Sequence, residues 1–212
     1  MPATGKLKIW GRFTSLNVKK VLCVADELGI PYDRIDAGGK FGIVDTPAFR
    51  ALNPNGRVPT IEDGEFVLWE SNSIIRYLAN KHDGEAIYPR DPVLRGSIDR
   101  WLDWQLSTLT PADVPVFVGT IRTPPEKHDK TALAPAVKRL AEAFVILDGA
   151  LAGRRFLAIN RLSIADLALG ISAHRFFANA FIERPNLPNL KAWYDRIRAL
   201  PAFKKNVDLP LE

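Results

Sequence analysis

Polar side chains stand at the start of a predicted helix in the stretch FTSLNVKKVL, which runs from Phe13 to Leu22. Apolar residues recur at helical spacing from about Val18 to Leu28, which predicts a helix there. Ser15 carries a hydroxyl and Asn17 a carboxamide, and both groups can donate hydrogen bonds. Donors at the positive end of a helix favour an anion, but either side chain is also suited to cap the helix. The sequence of this turn is therefore compatible with two roles, capping the helix and binding a ligand.

A proline interrupts the stretch NPNGRVPTIEDG just before an apolar strand begins. Proline fits poorly into the central ladder of a sheet, and a cis bond between Val58 and Pro59 would turn the preceding backbone outward. The N–H and C=O of Val58 would then be open to a ligand with peptide character. An ordinary turn proline beside an edge strand is the alternative.

The stretch LWESNSIIRYLA places Glu70 and Ser71 where a strand gives way to a helix. We expect Ser71 to act as the N-cap, with the first-turn amides left free. A carboxylate is favoured at such a helix start, and Glu70 beside it suits an ammonium group. Together they match the α-amino acid group of a ligand, whereas the alternative is a plain cap beside a solvated glutamate.

Secondary-structure signals divide the chain into two halves. The first half reads strand, helix, strand, helix segment, hairpin and helix, which predicts an α/β unit with a mixed sheet. The pair Asp63-Gly64 between two apolar runs marks the hairpin turn. After the connector HDGEAIYPRDP strand signals nearly vanish and helical periodicity predominates. The predicted parts are an α/β domain at residues 1–83, a linker at 84–92 and an all-helical domain at 93–212.

Composition excludes several classes of protein. With 212 residues, 47% of them hydrophobic and 25% charged, the chain can bury a core. The net charge is +5, but the basic residues are scattered, which argues against nucleic-acid binding. Neither a signal peptide nor an apolar run of roughly 18 residues is present, so we expect no membrane association and a cytoplasmic location. The single cysteine, Cys23, allows no internal disulfide, and the three dispersed histidines make a metal site unexpected.

The motifs RVPT and WESNSII, followed by a helical second half, resemble the cytosolic glutathione transferases over essentially the whole chain. The turn SLN is similar to that of bacterial members in which serine or threonine precedes asparagine by two residues. The resemblance implies a thioredoxin-like N-terminal domain, an all-α C-terminal domain, and glutathione as co-substrate with no metal. It also implies the contacts with glutathione: Glu70 and Ser71 for the γ-glutamyl end, Val58 beside a cis Pro59 for the cysteinyl backbone, and Arg57 and Lys40 for the glycyl carboxylate.

Members of this family hold the glutathione sulfur as a thiolate. A free thiol with a pKa near 8.5 is only about 3% ionised at neutral pH, and lowering its pKa to about 6.5 requires about 2.7 kcal/mol. One charge-assisted hydrogen bond and the positive end of a helix can supply that amount. We expect Ser15 to be the main donor and Asn17 its partner, with the choice between them open.

The resemblance places the acceptor site between the two domains, against the first long helix of the second domain. The residues expected to line it are Phe13, Phe41, Trp104 and Thr108. These side chains predict an apolar pocket for an aromatic or alkyl electrophile. None of them selects a particular substrate.

Two residues with potentially reactive side chains are assigned structural roles. Ser163 and Asp166 have the spacing of a capping box in NRLSIADLALG, so we expect Asp166 to cap a buried helix. Cys23 lies more than one turn inside the first predicted helix, away from the helix start that would lower the pKa of its thiol. It is therefore expected to be a packing residue.

The predicted activity is that of a glutathione S-transferase. Glutathione thiolate would attack a hydrophobic electrophile or a peroxide oxygen, with acceleration from positioning and anion stabilisation. The resemblance also implies a homodimer with two-fold symmetry. Two alternatives stay open: a glutathione-dependent disulfide reductase, and a non-catalytic binding or interaction protein of the same fold.

Overall fold

The first half of the chain builds a mixed sheet. A computed structural model describes residues 6–211, and the outer ends of the two predicted domains, residues 1–5 and 212, lie outside the described residues. The strands are β1 (Leu7–Trp10), β2 (Tyr32–Ile35), β3 (Thr60–Asp63) and β4 (Phe66–Trp69). Their order is β2-β1-β3-β4, with β1 parallel to β2 and antiparallel to β3, and β3 antiparallel to β4. The predicted mixed sheet and its hairpin are confirmed.

The helices of this half are α1 (Leu16–Glu27), α2 (Pro47–Leu52) and α3 (Ser71–Lys81), with single 3₁₀ turns at Gly39–Phe41 and Gly84–Ala86. α1 begins two residues before the predicted helix, because Ser15 already caps it. α1 follows β1 and α3 follows β4. Both turns that carry predicted site residues thus lie where a strand ends and a helix begins.

The second half is helical, as predicted. Its helices are α4 (Pro92–Trp104), α5 (Thr110–Phe117), α6 (Lys130–Ala150), α7 (Ile164–Ala178), α8 (Pro188–Arg198) and α9 (Pro201–Asn206). π-helical turns at Gln105–Leu109 and Val118–Arg122 extend α4 and α5 into one interrupted helical stretch. None of the helices among the described residues has the length and apolar character to cross a membrane. The connection between α3 and α4 covers residues 82–91, against a predicted linker of 84–92, and the domain limits stay a prediction.

The first helix of the α/β half is buried from both sides. Every residue from Val18 to Ala25 is buried, because α1 packs against α3 in its own half and against α7 and α9 in the helical half. Cys23 is 0% exposed, as expected of a packing residue, and burial raises the pKa of its thiol. A buried thiol with a raised pKa is a poor nucleophile, so Cys23 offers no chemistry to a ligand.

The capping box at the start of α7 is confirmed. Asp166 is 0% exposed, and its Oδ2 accepts hydrogen bonds from the N–H and the hydroxyl of Ser163, at 2.9 and 2.6 Å. Its Oδ1 accepts from the Leu157 N–H at 2.7 Å and from the indole N–H of Trp193 at 2.9 Å. One carboxylate therefore ties α7 to the preceding loop and to α8.

We predict that replacing the Asp166 carboxylate causes a large loss of stability. We expect Asp166→Ala to lower the free energy of unfolding by about 2–4 kcal/mol, because buried N–H donors lose their acceptor. Urea unfolding at fixed protein concentration measures the loss. Asp195→Ala is the control, because Asp195 is half-exposed and pairs with Lys191 on the surface of α8, a contact worth about 0.5 kcal/mol. Equal losses in the two variants would contradict the structural role of Asp166.

Candidate active site

The start of α1 carries the first predicted donor. Ser15 is the N-cap of α1, and its Oγ accepts a hydrogen bond from the Val18 N–H at 3.5 Å. That bond uses an acceptor lone pair, so the hydroxyl hydrogen stays available to a second partner. Capping and donation to a ligand, which the sequence presents as alternatives, are compatible at Ser15.

The second predicted donor faces the neighbouring helix. Asn17 is exposed, and its Oδ1 accepts a hydrogen bond from Ser71 Oγ at 3.3 Å. Its carboxamide nitrogen makes no hydrogen bond to the described part of the chain, residues 6–211. The oxygen of Asn17 thus links α1 to α3, and its N–H₂ group is left to donate to a ligand.

The start of α3 differs from the prediction at its cap. Glu70 is the N-cap, and Ser71 is the first residue of the helix. The predicted Ser71 cap is wrong, because the Ser71 hydroxyl is turned toward Asn17 and Lys20 instead of its own helix. Glu70 has φ +71° and ψ 111°, a rare conformation for a residue other than glycine and one that clusters at functional sites. Among residues 6–211 no side chain caps α3, so its first amides are open to an anion beside the exposed Glu70 carboxylate.

A buried lysine lies beneath the two helix starts. Lys20 is 0% exposed, and its ammonium group donates to three oxygens: Ser71 Oγ at 3.4 Å, Asn72 Oδ1 at 3.1 Å and Gln105 Oε1 at 2.7 Å. Burial lowers the pKa of Lys20 to about 7, against the opposing effect of the Glu70 charge. Since Gln105 follows α4, the packing of the two halves holds the lysine that supports the site.

The loop before β3 presents a free peptide group. The Val58–Pro59 bond is cis, and Val58 is half-exposed. Within residues 6–211 neither the N–H nor the C=O of Val58 has a hydrogen-bond partner. The Asn53 carboxamide fixes the loop by donating to the Arg57 carbonyl at 2.9 Å and to Thr60 Oγ1 at 3.1 Å. The loop is therefore rigid at its base and open at Val58.

A glycine allows this loop to approach the start of α1. A Cβ atom at Gly11 would lie 2.3 Å from Val18 Cγ2 and 3.3 Å from Val58 Cβ. Any larger residue would push the loop and the helix apart. Gly11 thus sets the distance between the free Val58 peptide and the Ser15 turn.

The two basic residues expected at the glycyl carboxylate are both exposed. Lys40 lies in the 3₁₀ turn after β2, and its ammonium nitrogen is 5.3 Å from the centre of the Phe41 ring. Arg57 precedes the free peptide of Val58. Neither forms a salt bridge with another described residue, so both charges are open to a carboxylate.

A cleft between the two halves meets the Ser15 turn. One part of it is a cavity of about 200 Å³ lined by Arg12, Thr14, Ser15, Leu16, Asn17, Thr110, Asp113, Val114, Phe117, Arg122 and Arg175. The adjoining part is a cavity of about 440 Å³ lined by Arg12, Phe13, Thr14, Arg34, Asp36, Gly39, Lys40, Phe41 and Arg122. Arg12, Thr14 and Arg122 line both parts. The two predicted thiolate donors therefore face a space that continues toward Lys40.

The residues predicted to line the acceptor site fall into two groups. Phe13 and Phe41 share the larger cavity. Thr108 lines a separate groove against α6. Trp104 is half-buried and packs edge-to-face on Trp101, with ring centres 5.4 Å apart. The structure thus brings Phe13 and Phe41 together and does not bring Trp104 or Thr108 to them.

The cleft carries more charge than the sequence led us to expect. Arg175 donates to Asp113 at 2.6 Å and lies 3.7 Å above the Phe117 ring. Burial raises the pKa of Asp113, while the charge of Arg175 lowers it. Arg34 pairs with Asp36 at the other end of the cleft. Arg175 and Asp113 lie 62 positions apart in the sequence, so no local pattern predicted their pairing.

Comparison with known protein families identifies both halves of the chain. Residues 11–86 match the glutathione S-transferase N-terminal domain, and residues 108–201 match the glutathione S-transferase C-terminal domain. The chain belongs to the glutathione S-transferase family. The curated relative glutathione S-transferase GstB from Escherichia coli is 37% identical over 207 residues, which cover 97% of this chain and 99% of GstB.

A solved structure and a plant relative agree with this assignment. A theta class glutathione S-transferase from the citrus canker pathogen Xanthomonas axonopodis pv. citri, solved with glutathione bound, is 45% identical with a TM-score of 0.93 over 100% of both chains. A probable glutathione S-transferase, GSTF2, from Oryza sativa subsp. japonica is 28% identical and covers 96% of both chains. The predicted glutathione transferase fold is confirmed.

Sequence reasoning missed the arginines in the cleft of this glutathione S-transferase. Arg12 stands directly before FTSLN, and that position was the available signal. Arg122 and Arg175 reach the cleft only through the packing of the helical half, so nothing in the sequence marked them. Among the described residues no group of three or more His, Cys, Asp or Glu side chains is arranged to hold a metal ion.

Because Lys20 is buried, we predict that the free energy of unfolding depends on pH. The pKa of Lys20 is about 7 in the folded chain and about 10.4 in an unfolded one, so between these values the unfolded state binds more protons. The contribution of Lys20 to the free energy of unfolding then rises with pH above 7, by up to about 1.4 kcal/mol per pH unit. Lys20→Met lacks this contribution, so we expect the wild type to gain stability relative to the variant from pH 7 to 9.

Urea unfolding at several pH values measures this difference. Lys20 is the only titratable group that the substitution removes, so the slope of the stability difference against pH reports its titration. Lys138→Met is the matched control, because Lys138 is an exposed residue of α6 and its replacement leaves the slope unchanged. Parallel curves for the wild type and Lys20→Met would contradict the lowered pKa of the buried ammonium group.

Proposed function

We propose that this transferase holds reduced glutathione across the starts of α1 and α3 and delivers its sulfur, as a thiolate, to a hydrophobic electrophile. The observation that supports the proposal most strongly is the position of Ser71, which accepts a hydrogen bond from Lys20 and donates one to Asn17. This network fixes two positive helix ends side by side. The Xanthomonas relative solved with glutathione bound supports the same ligand here.

Glutathione fits the site as an extended ligand with three contacts. Its γ-glutamyl carboxylate would lie at the free amides of Ser71 and Asn72, and its ammonium at Glu70. Its cysteinyl N–H and C=O would pair with the free backbone groups of Val58, beside Pro59. Its glycyl carboxylate would lie within reach of the exposed basic side chains Lys40 and Arg57.

The sulfur would then lie at the Ser15 turn. The hydroxyl of Ser15 donates to the thiolate while its oxygen still caps α1, and the Asn17 carboxamide adds a second donor. Neither group transfers a proton near neutral pH, so both act by stabilising the anion and the thiol proton leaves to solvent. In conjugation a carbon–sulfur bond forms and the leaving group departs with its electron pair. With a peroxide the thiolate sulfur attacks one oxygen, the oxygen–oxygen bond breaks, and the other oxygen leaves with the electron pair and takes a proton from solvent as an alcohol. The glutathione sulfenic acid formed then reacts with a second glutathione to give the disulfide and water.

The electrophile would occupy the cleft beside this sulfur, in contact with Phe13 and Phe41. These two side chains supply an apolar wall at the larger cavity. Trp104 and Thr108 lie outside the two cavities, so no contact with the electrophile is proposed for them. The wall suits an aromatic or alkyl group.

We also propose that the transferase is a cytoplasmic homodimer. Apolar side chains stay exposed on the edge strand β4, where Phe66 is 46% and Trp69 is 36% exposed, and Val93 on α4 is 75% exposed. A partner chain would cover such side chains. Light scattering after gel filtration tests the assembly, and a mass of one 23.6 kDa chain contradicts it.

Replacing the two donors separately tests the proposed mechanism. We expect Ser15→Ala to raise the pKa of bound glutathione thiol from about 6.5 toward the free value of about 8.5, because the thiolate loses its main hydrogen bond. Asn17→Ala should raise it less. The pKa is read from the ultraviolet absorbance of the thiolate during a pH titration, and turnover of 1-chloro-2,4-dinitrobenzene is measured in parallel.

Ser107→Ala is the control for this experiment, because Ser107 is an exposed hydroxyl in the separate groove against α6. If neither donor variant raises the thiol pKa, the assignment of this turn is wrong. A small disulfide assayed beside the chloroarene separates the reaction types. Faster turnover of the disulfide would favour a glutathione-dependent reductase over a conjugating enzyme.

A further inference from the structure

Two arginines in the cleft lack an acidic partner. Of the charged side chains that line it, Arg34 pairs with Asp36 and Arg175 pairs with Asp113. Arg12, Lys40 and Arg122 form no salt bridge with any residue between 6 and 211. The cleft thus holds three positive charges in excess, and the proposed glycyl contact of glutathione accounts only for Lys40.

Arg12 packs against the loop that follows β2. Its backbone N–H donates to the Ala37 carbonyl at 2.9 Å. Its side chain lies against Gly38 and Gly39, where added Cβ atoms would come within 3.0 Å of Nη1 and 3.1 Å of Cδ. Both glycines have positive φ, at 76° and 59°, so the turn that receives the arginine is built around residues without a side chain.

The positive charges of Arg12 and Arg122 repel each other. Partial burial and the charge of Arg122 lower the pKa of the Arg12 guanidinium. Arg122 is exposed at the end of the second π-helical turn and lies beside the Phe117 ring, 5.3 Å from its centre. The carboxylates that line the cleft already pair with two other arginines. Two like charges without a carboxylate partner of their own repel each other, and an anion bound between them would offset this repulsion.

We infer that Arg12 and Arg122 form a subsite for an anionic group on the acceptor, so that the preferred electrophiles carry a carboxylate. This inference rests on the proposed function and deepens it, because the same cavity holds Ser15 and Thr14. A carboxylate held there places the attached electrophilic carbon in the cavity that receives the sulfur. For an aryl chloride the carbon–sulfur bond forms, and chloride leaves with the electron pair of the carbon–chlorine bond.

Guanidinium groups are suited to hold the carboxylate of an acceptor because they bind carboxylates through paired N–H donors. One guanidinium comes from the turn after β1 and the other from the end of the helical stretch after α5. Binding an anion between them would therefore join the two halves across the cleft. The glycyl carboxylate of glutathione is the competing occupant, and the experiment separates the two.

The test compares an anionic and a neutral ligand of the same shape. Binding of 3,5-dinitrobenzoate and 3,5-dinitrobenzamide is measured by calorimetry on the full chain, with saturating glutathione and without it. We expect the benzoate to bind the wild type at least about tenfold more tightly than the amide. Arg122→Gln should reduce this preference to about twofold or less and leave binding of the amide unchanged.

Arg139→Gln is the matched control, because it removes the same charge from the exposed surface of α6, in the separate groove. It should keep the full preference for the benzoate. Equal binding of the two ligands to the wild type, or equal losses in the Arg122 and Arg139 variants, would overturn the inference. An Arg122→Gln variant that loses affinity for glutathione instead of for the benzoate would also overturn it, because the arginines would then belong to the glycyl carboxylate.

A turnover assay keeps the two proposals distinguishable. With glutathione, 4-chloro-3,5-dinitrobenzoate and its amide are compared as substrates, each corrected for its uncatalysed rate. We expect a higher kcat/KM for the benzoate in the wild type and in Arg139→Gln, and values within about twofold of each other in Arg122→Gln. If neither compound is turned over and glutathione does not bind, the proposed function fails, while the binding comparison made without glutathione still decides the anion subsite.

Discussion

The hydrogen bonds around Ser71 are the constraint on which the site depends. Ser71 Oγ joins Lys20 to Asn17, so the start of α1 and the start of α3 are held side by side. Lys20 is itself held by Gln105, at 2.7 Å, from the helical half. A buried ammonium group is costly unless every N–H has a partner, so the third N–H of Lys20 is satisfied only when the two halves are packed together.

Positive potential is the second property that unites the site. A buried lysine lies beneath the starts of two helices, and basic side chains are exposed on the surrounding loops. Such an arrangement suits a ligand with two carboxylates and a thiolate. Arg12 and Arg122 stay without acidic partners among residues 6–211. The acceptor end of the cleft therefore favours an electrophile with a carboxylate, which an apolar wall alone would not do.

Local patterns were sufficient for most of the fold. The strand pattern, the hairpin at Asp63-Gly64 and the capping box at Asp166 were predictable, because each depends on residues a few positions apart. The Glu70 cap was missed, since Ser71 gives up its capping role for partners 51 and 54 positions away. The charged cleft was missed for the same reason: Arg122 and Arg175 meet the Ser15 turn only in the folded chain.

The central claim is that this transferase grips glutathione by its γ-glutamyl group at α3 while α1 holds the sulfur. Calorimetric binding of glutathione and of cysteinylglycine, which keeps the thiol and the glycyl carboxylate but lacks the γ-glutamyl group, tests it most directly. The account predicts that glutathione binds and that the dipeptide binds at least about a hundredfold more weakly, because the charge-assisted contacts at Glu70 and Ser71 are lost. Equal affinities, or no binding of millimolar glutathione, would contradict it.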